Sequence, residues 1–258
     1  MSRIKVILNP HAGHGYAASM SSAISRQFAQ LGADFELVHT RHPGDAIALA
    51  RQAAEEGFER VVSVGGDGTT HEIINGLLSV NGASRSALGC IPAGSGNDFA
   101  IMNGAPTQIE QACRLIVEGV SHLIDLGKVT IDGTLTRYFD NAVGVGFDGL
   151  VTMETHRHKH LRGMALYLPV VLKTILVTMH PPRISLTLDG HTQDLTALMI
   201  VTCNGPREGG GFLLAPQAHF DDGLFDILVA ETLPKLGMLA LVPRFLKGTH
   251  LSHEKISL

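Results

Sequence analysis

Glycines, hydroxyls and carboxylates recur together near the start of this 258-residue chain, in combinations suited to holding phosphate. The clearest is Gly65-Gly66-Asp67-Gly68-Thr69, which follows the β-branched run Val61-Val62-Ser63-Val64 and precedes an amphipathic stretch. That is a strand, a glycine-rich loop and a helix start. Glycines let backbone approach a phosphate closely, and the unsatisfied N–H groups of a helix's first turn favour an anion. Taken alone, the stretch also reads as a tight turn in which Thr69 and Glu72 form a capping box. Recurrence shifts the balance. Asn9-Pro10-His11-Ala12-Gly13-His14-Gly15 and Ile91-Pro92-Ala93-Gly94-Ser95-Gly96-Asn97-Asp98 follow two further strand-like runs. In an open parallel sheet, ligands sit outside the carboxyl ends of the strands, so three such loops predict one shared crevice. None matches the P-loop ending in Gly-Lys-Ser/Thr, and none is the dinucleotide fingerprint.

The elements that must position these loops follow from periodicity. Strands are predicted at Ile4 to Leu8, Phe35 to His39, Arg60 to Val64 and Ala87 to Ile91. Helices are predicted at Ala17 to Leu31, Asp45 to Glu56, Thr70 to Leu78 and Gln108 to Glu118. Alternation of this kind predicts an α/β domain with a mostly parallel sheet over residues 1–125. Beyond it the pattern changes to short runs with Asp-Gly turns, at Val129 to Thr136 and Ile184 to His191, which read as antiparallel hairpins. Residues 126–258 are therefore expected to form a mostly antiparallel β-sandwich domain with inserted helices near Leu161 to Met179 and Leu233 to Leu246.

With these motifs in order, the chain resembles the diacylglycerol kinase catalytic-domain family, including bacterial soluble lipid kinases and sphingosine kinases. The resemblance is carried by Asn9-Pro10 with Gly13, by Gly65 to Thr69 with Glu72 and Asn75-Gly76, by Gly94 to Asp98, and by Gly144-Val145-Gly146-Phe147-Asp148. It implies an ATP-dependent lipid kinase working with Mg²⁺. By the same resemblance the ATP site is lined by Asn9, Thr40, Gly65, Gly66, Asp67, Gly68, Thr69, Thr70, His71, Glu72, Ser95, Gly96 and Asn97. Thr70 and His71 stand where relatives usually have leucine and asparagine. Phosphoryl transfer needs a carboxylate near the acceptor hydroxyl, and Asp67 is the candidate. Its counterpart in sphingosine and NAD kinases is the base, whereas bacterial relatives use a glutamate from a C-terminal Asp-Gly-Glu. No such element occurs up to Leu258, so the chain reads as C-terminally shortened, and unpaired sheet edges are expected.

The resemblance also implies a structural Mg²⁺ in the loop Ala215 to Leu224, held by the Asp222 side chain with the carbonyls of His219 and Leu224. An Asp-Gly turn without metal is the competing reading of those residues. The cationic run His156 to Arg162 beside the apolar Leu161 to Met179 segment suits a membrane surface, and equally a solvated loop preceding an ordinary core helix. A lipid substrate met peripherally at the inner face of the membrane, in the cytoplasm, is the expected partner, and a homodimer is an allowed assembly.

Composition excludes other classes. The net charge is −4, which gives no basic field for nucleic acid, and the three widely spaced cysteines form neither a disulfide framework nor a zinc pattern. Charges and a proline interrupt the longest apolar stretch, at about 2.5–3.5 kcal/mol for each buried charge, so it reads as a buried or interfacial helix. Two rivals remain: a kinase of a soluble acceptor such as NAD, and a nucleotide-binding module impaired in catalysis.

Overall fold

A strand buried on both faces is mostly apolar, and in β1 (Arg3–Leu8) and β3 (Arg60–Gly65) every residue after the first is buried, with Lys5 and Ser63 the polar members of those runs. β2 (Asp34–His39) alternates exposed and half-buried residues, as an edge strand does. With β4 (Ala87–Pro92) they form a sheet of order β2-β1-β3-β4, parallel throughout. These strands belong to a computed structural model that describes residues 2–80, 86–155, 164–178 and 181–258.

The connecting helices are α1 (Tyr16–Gln30), α2 (Asp45–Glu55) and α3 (Asp67–Leu78), followed after β4 by α4 (Asp98–Met102) and α5 (Ile109–Glu118). α1 and α5 cover one face of the sheet through Ile24, Phe28, Cys113 and Ile116. α2 and α3 cover the other through Ala50, Ala53, Ile73 and Leu77. The chain thus winds one way from β1 to β2 and the other way from β3 to β4. The switch falls between β1 and β3, where a doubly wound sheet opens a crevice at its strand ends.

A hairpin of β5 (Gly127–Ile131) and β6 (Leu135–Phe139) turns at Asp132, whose φ of 51° matches the Asp-Gly expectation. Asn75 of α3 grips it, donating to the Tyr138 carbonyl and accepting the Tyr138 amide, both at 2.9 Å. The first compact unit therefore runs through Met1–Asp140 and includes a hairpin that sequence reading, with its boundary near residue 125, assigned to the second.

The second unit, Asn141–Leu258, is antiparallel as expected. Its elements are β7 (Ala142–Gly146), α6 (Phe147–Thr155), α7 (Met164–Lys173) continued by a π-turn at Thr174–Thr178, β8 (Arg183–Leu188) and β9 (His191–Cys203). Then come β10 (Arg207–Glu208), β11 (Phe212–Leu213), β12 (Asp226–Glu231), α8 (Lys235–Lys247), a 3-10 turn at His250–Ser252 and β13 (Ile256–Ser257). The first half of β9 pairs with β8, and its second half pairs with β7 and β12. Val201, Cys203 and Leu228 pack with α6, α7 and α8. Ile200 and Val229 instead pack with Ile184, Leu186 and Leu195. β13 pairs with β12. The cationic run expected at His156 to Arg162 lies outside the described residues, as do residues 161–163 and 179 of the apolar segment. Among the described residues no helix is long and apolar enough to cross a membrane.

Candidate active site

Three loops of the first unit meet at the carboxyl ends of β1, β3 and β4. The Ala93 amide donates to the Gly65 carbonyl at 2.8 Å, and the Asp67 amide to the Gly96 carbonyl at 3.2 Å. A methyl group on Gly94 would lie 2.2 Å from the Gly66 Cα, and one on Gly13 would lie 2.3 Å from the Ala93 carbonyl oxygen. Only glycine permits backbones to come this close. Asn9 closes the third side: its Nδ2 donates to Thr69 Oγ1 at 3.1 Å and its Oδ1 accepts the His11 amide at 3.1 Å. The three loops that recurrence singled out thus touch one another at one edge of the sheet.

Within it the predicted residues divide by job. The Asn97 side chain folds back on its own loop, accepting the Gly94 amide at 2.8 Å and donating to the Gly94 carbonyl at 3.1 Å, which leaves Ser95 and Gly96 partly exposed at the tip. In the first turn of α3, the Thr69 and Thr70 amides donate to the Gly66 carbonyl. The Gly68 amide, at an exposed position, has no acceptor among the described residues and is the donor left for a ligand. The Asp67 carboxylate accepts the Asp98 amide on Oδ2 at 3.1 Å and the Phe99 amide on Oδ1 at 3.2 Å. It thereby caps α4, a role that no sequence pattern announced.

Other predicted residues stand further from the loop tips. Thr40 is buried, with its amide on the Leu8 carbonyl at 2.9 Å. The Thr70 hydroxyl pairs with Ser63 Oγ at 3.0 Å inside the fold. Glu72 Oε1 accepts the Gly44 amide at 3.0 Å, at the start of α2. This corrects the capping-box alternative, because α3 begins at Asp67 with Gly66 as its cap, while Thr69 and Glu72 each serve another segment. His71 lies half-buried near the β5–β6 hairpin, and burial followed by the positive charge of Arg137 lowers its pKa. Cys90, on β4, was not singled out from sequence; burial first, and then the charge of Asp140, pushes its thiol up to about 12, so it stays protonated and inert.

The second unit holds two candidate features of its own. The first is a cavity of about 130 Å³ walled by Val171, Ile175, Met199, Leu241, Val242 and Phe245, with Asp148 and Glu208 also in its lining. Burial raises the pKa of Asp148 above the usual carboxylate range. In the sequence Asp148 stands out only as the last residue of the motif Gly144 to Asp148. Glu208 precedes a run of three glycines, the one sequence signal that could have drawn attention to it.

The second feature is the loop of Asp222, whose Oδ1 accepts the Leu224 amide at 3.0 Å. Nearby Asp226 has a raised pKa, caused first by burial and then by the charge of Asp222, while His219 acts in the opposite direction. Two neighbouring carboxylates, with His219 alone acting against their charge, are the oxygen donors a hard divalent ion takes. Among the described residues no group of three or more His, Cys, Asp or Glu side chains could hold a metal, so an ion here would rest on Asp222, carbonyls and water.

Comparison with known proteins agrees with this geometry. Residues 3–129 match the diacylglycerol kinase catalytic domain, and residues 141–258 match the YegS C-terminal NAD kinase beta sandwich-like domain. A diacylglycerol kinase of Mycobacterium tuberculosis is 30% identical across 100% of this chain and 82% of its own length. A YegS-like probable lipid kinase of Chromohalobacter salexigens is 35% identical across 75% of this chain and 60% of its own length. The crystal structure of a diacylglycerol kinase from Bacillus anthracis superposes with a TM-score of 0.71 at 26% identity, covering 93% of this chain and 77% of that one.

Proposed function

We propose a reaction from the premise that this chain belongs to the diacylglycerol kinase family: ATP-dependent transfer of the γ-phosphoryl group to a hydroxyl of diacylglycerol or a related lipid. In this reaction the acceptor oxygen bonds to the γ-phosphorus, the bond from that phosphorus to the ADP oxygen breaks, and the hydroxyl proton leaves to a base.

The observation that carries the lipid assignment is the cavity of the second unit, whose wall is almost wholly apolar. An acyl chain gains by leaving water for such a lining, at about 25 cal/mol per Å² buried. Asp148 and Glu208, in the same lining, can orient a hydroxyl or ester group. The nucleotide side rests on the loops of Gly13, Gly66 and Gly94, whose bare backbone makes a cradle that any side chain would fill.

Mg²⁺ bound with ATP supplies charge neutralisation on the phosphates, which this cradle supports mainly through backbone donors. A structural ion would be held by Asp222 with the carbonyls of His219 and Leu224. Asp67 takes the base role in this proposal. Both of its oxygens accept an amide, so the carboxylate that would take the hydroxyl proton is fixed in orientation. In this reading the protein works in the cytoplasm, where ATP is supplied, and meets its lipid peripherally at the inner face of the membrane.

A second reading, a kinase of NAD, draws on the NAD kinase-like description of the matched C-terminal family. ADP release separates the two. With Mg²⁺ and ATP present, diacylglycerol, sphingoid base or ceramide in micelles stimulates release and NAD does not. Stimulation by NAD alone selects the second reading. Tight ATP binding with no acceptor-stimulated release selects a nucleotide-binding module.

A further inference from the structure

The outer faces of two helices in the second unit carry no acidic residue. On α8 the exposed positions Leu236, Ala240, Pro243, Arg244 and Lys247 fall at helical spacing on one side, while Met238, Leu241 and Val242 are buried on the other. On α7, Ala165, Pro169 and Lys173 form the matching exposed stripe, and the π-turn then brings Leu176 and Val177 outward at 52% and 70% exposure. Leu236 is 81% exposed. Lys235 Nζ donates to the Leu176 carbonyl at 2.5 Å, which ties the π-turn to the start of α8, so the exposed Leu176, Val177 and Leu236 belong to neighbouring segments.

An ordinary solvated helix looks different. On α2, Arg51 pairs with Glu55, and Gln52 bonds to Glu56 just beyond the helix, so acidic residues balance that face. Here Met164 to Thr178 and Lys235 to Lys247 contain Lys173, Lys235, Arg244 and Lys247 and no Asp or Glu, in a chain whose net charge is −4. Lys173 pairs with Glu154 of α6, whereas Lys235 makes its bond to a carbonyl and keeps its charge. Protruding aliphatic side chains among uncompensated cations suit an anionic bilayer surface, in which leucine and valine enter the acyl boundary and lysine and arginine meet phosphate. The inner faces of the same elements, through Ile175, Leu241 and Phe245, line the apolar cavity.

We propose that Leu176, Val177 and Leu236, with Lys235, Arg244 and Lys247, are the surface by which this chain docks on an anionic phospholipid bilayer. The helices then lie in the interface, with the cavity directly beneath the layer that touches lipid. This rests on the lipid-kinase reading for its purpose but not for its observations. A second copy of the chain is the competing occupant.

The test is flotation of the full chain with vesicles of phosphatidylglycerol and phosphatidylcholine, compared with phosphatidylcholine alone. The parent binds the anionic vesicles, and the triple variant L176E/V177E/L236E loses binding roughly tenfold or more. Leu115→Glu, at a 48% exposed leucine of the first unit, binds as the parent does. Melting temperature confirms that each variant folds. Equal binding by parent and triple variant, or a parent dimer in sedimentation that the triple variant abolishes, overturns the proposal. Vesicle binding through these residues with no phosphorylation of any lipid upholds the surface and sinks the kinase reading. Phosphorylation of a short-chain soluble diacylglycerol by a parent that ignores anionic vesicles does the reverse.

Discussion

Asp67, at the first position of α3, accepts the backbone amide of Asp98 at 3.1 Å, so the loop after β3 and the helix after β4 are held together by one carboxylate. Its other oxygen accepts Phe99 at 3.2 Å. The residue assigned the chemistry is therefore also a helix cap, and the two roles have different signatures.

Asp67→Ala removes both amide acceptors. It is expected to cost about 1–2 kcal/mol in stability, as lost caps do, and to weaken ATP binding as well as turnover. Asp67→Asn keeps an amide-accepting oxygen and should melt closer to the parent. If turnover collapses in Asp67→Asn while melting and calorimetric ATP affinity stay near parental values, the carboxylate acts on the acceptor; if turnover follows affinity in both variants, capping is its whole contribution.

Gly94→Ala tests the cradle. The added methyl meets the Gly66 Cα at 2.2 Å, and neither backbone can yield without moving the loop. Strain of about 1–3 kcal/mol, if relieved only by displacing the loop from its binding geometry, corresponds to a roughly fivefold to 150-fold larger ATP dissociation constant. Calorimetry that finds ATP affinity unchanged removes these loops from the nucleotide site.

His250 predicts a pH dependence. It is wholly buried, its Nε2 lies 3.0 Å from the Leu214 carbonyl, and its ring stacks on Phe245 at 4.0 Å. Burial, the largest cause, lowers its pKa from 6.5, against the neighbouring Leu214 and Arg244 carbonyls, which raise it. The unfolded chain then binds this proton more readily than the folded one. Stability is complete above the unfolded value of 6.5 and is lost as pH falls through and below it. His250→Gln should flatten the fall in melting temperature from neutral pH to about pH 5. A slope identical to the parent's assigns that fall to other groups.

Asp222 predicts a response to metal. Millimolar Mg²⁺ without nucleotide should raise the parent's melting temperature and leave Asp222→Ala unmoved, by mass action on the folded state alone. Equal responses place the ion elsewhere.

What was readable in advance was what local pattern dictates. The buried runs of β1 and β3, the helices between them and the turns at Asp132 and Asp189 follow from periodicity and Asp-Gly chemistry, and loop recurrence pointed to the sheet edge where the three glycine loops meet. The parts that escaped notice depend on distant partners. Asp67 finds amides from another loop, Glu72 reaches Gly44 instead of its own helix, and Asn75 draws the β5–β6 hairpin into the first unit. The π-turn that exposes Leu176 and Val177 interrupts a segment that its apolar run alone presents as one helix. Asp148 and Glu208 are far apart in sequence, and only the closed second unit shows them lining one cavity.

The central claim is that this fold transfers phosphoryl groups from ATP to lipid. The most direct measurement follows label from γ-³²P ATP into the organic phase after incubation with Mg²⁺ and diacylglycerol in mixed micelles. The account predicts a labelled phospholipid product that requires Mg²⁺ and is lost in Gly94→Ala. Label confined to water-soluble products across diacylglycerol, sphingoid base and ceramide, with the parent shown by calorimetry to bind ATP, would contradict it.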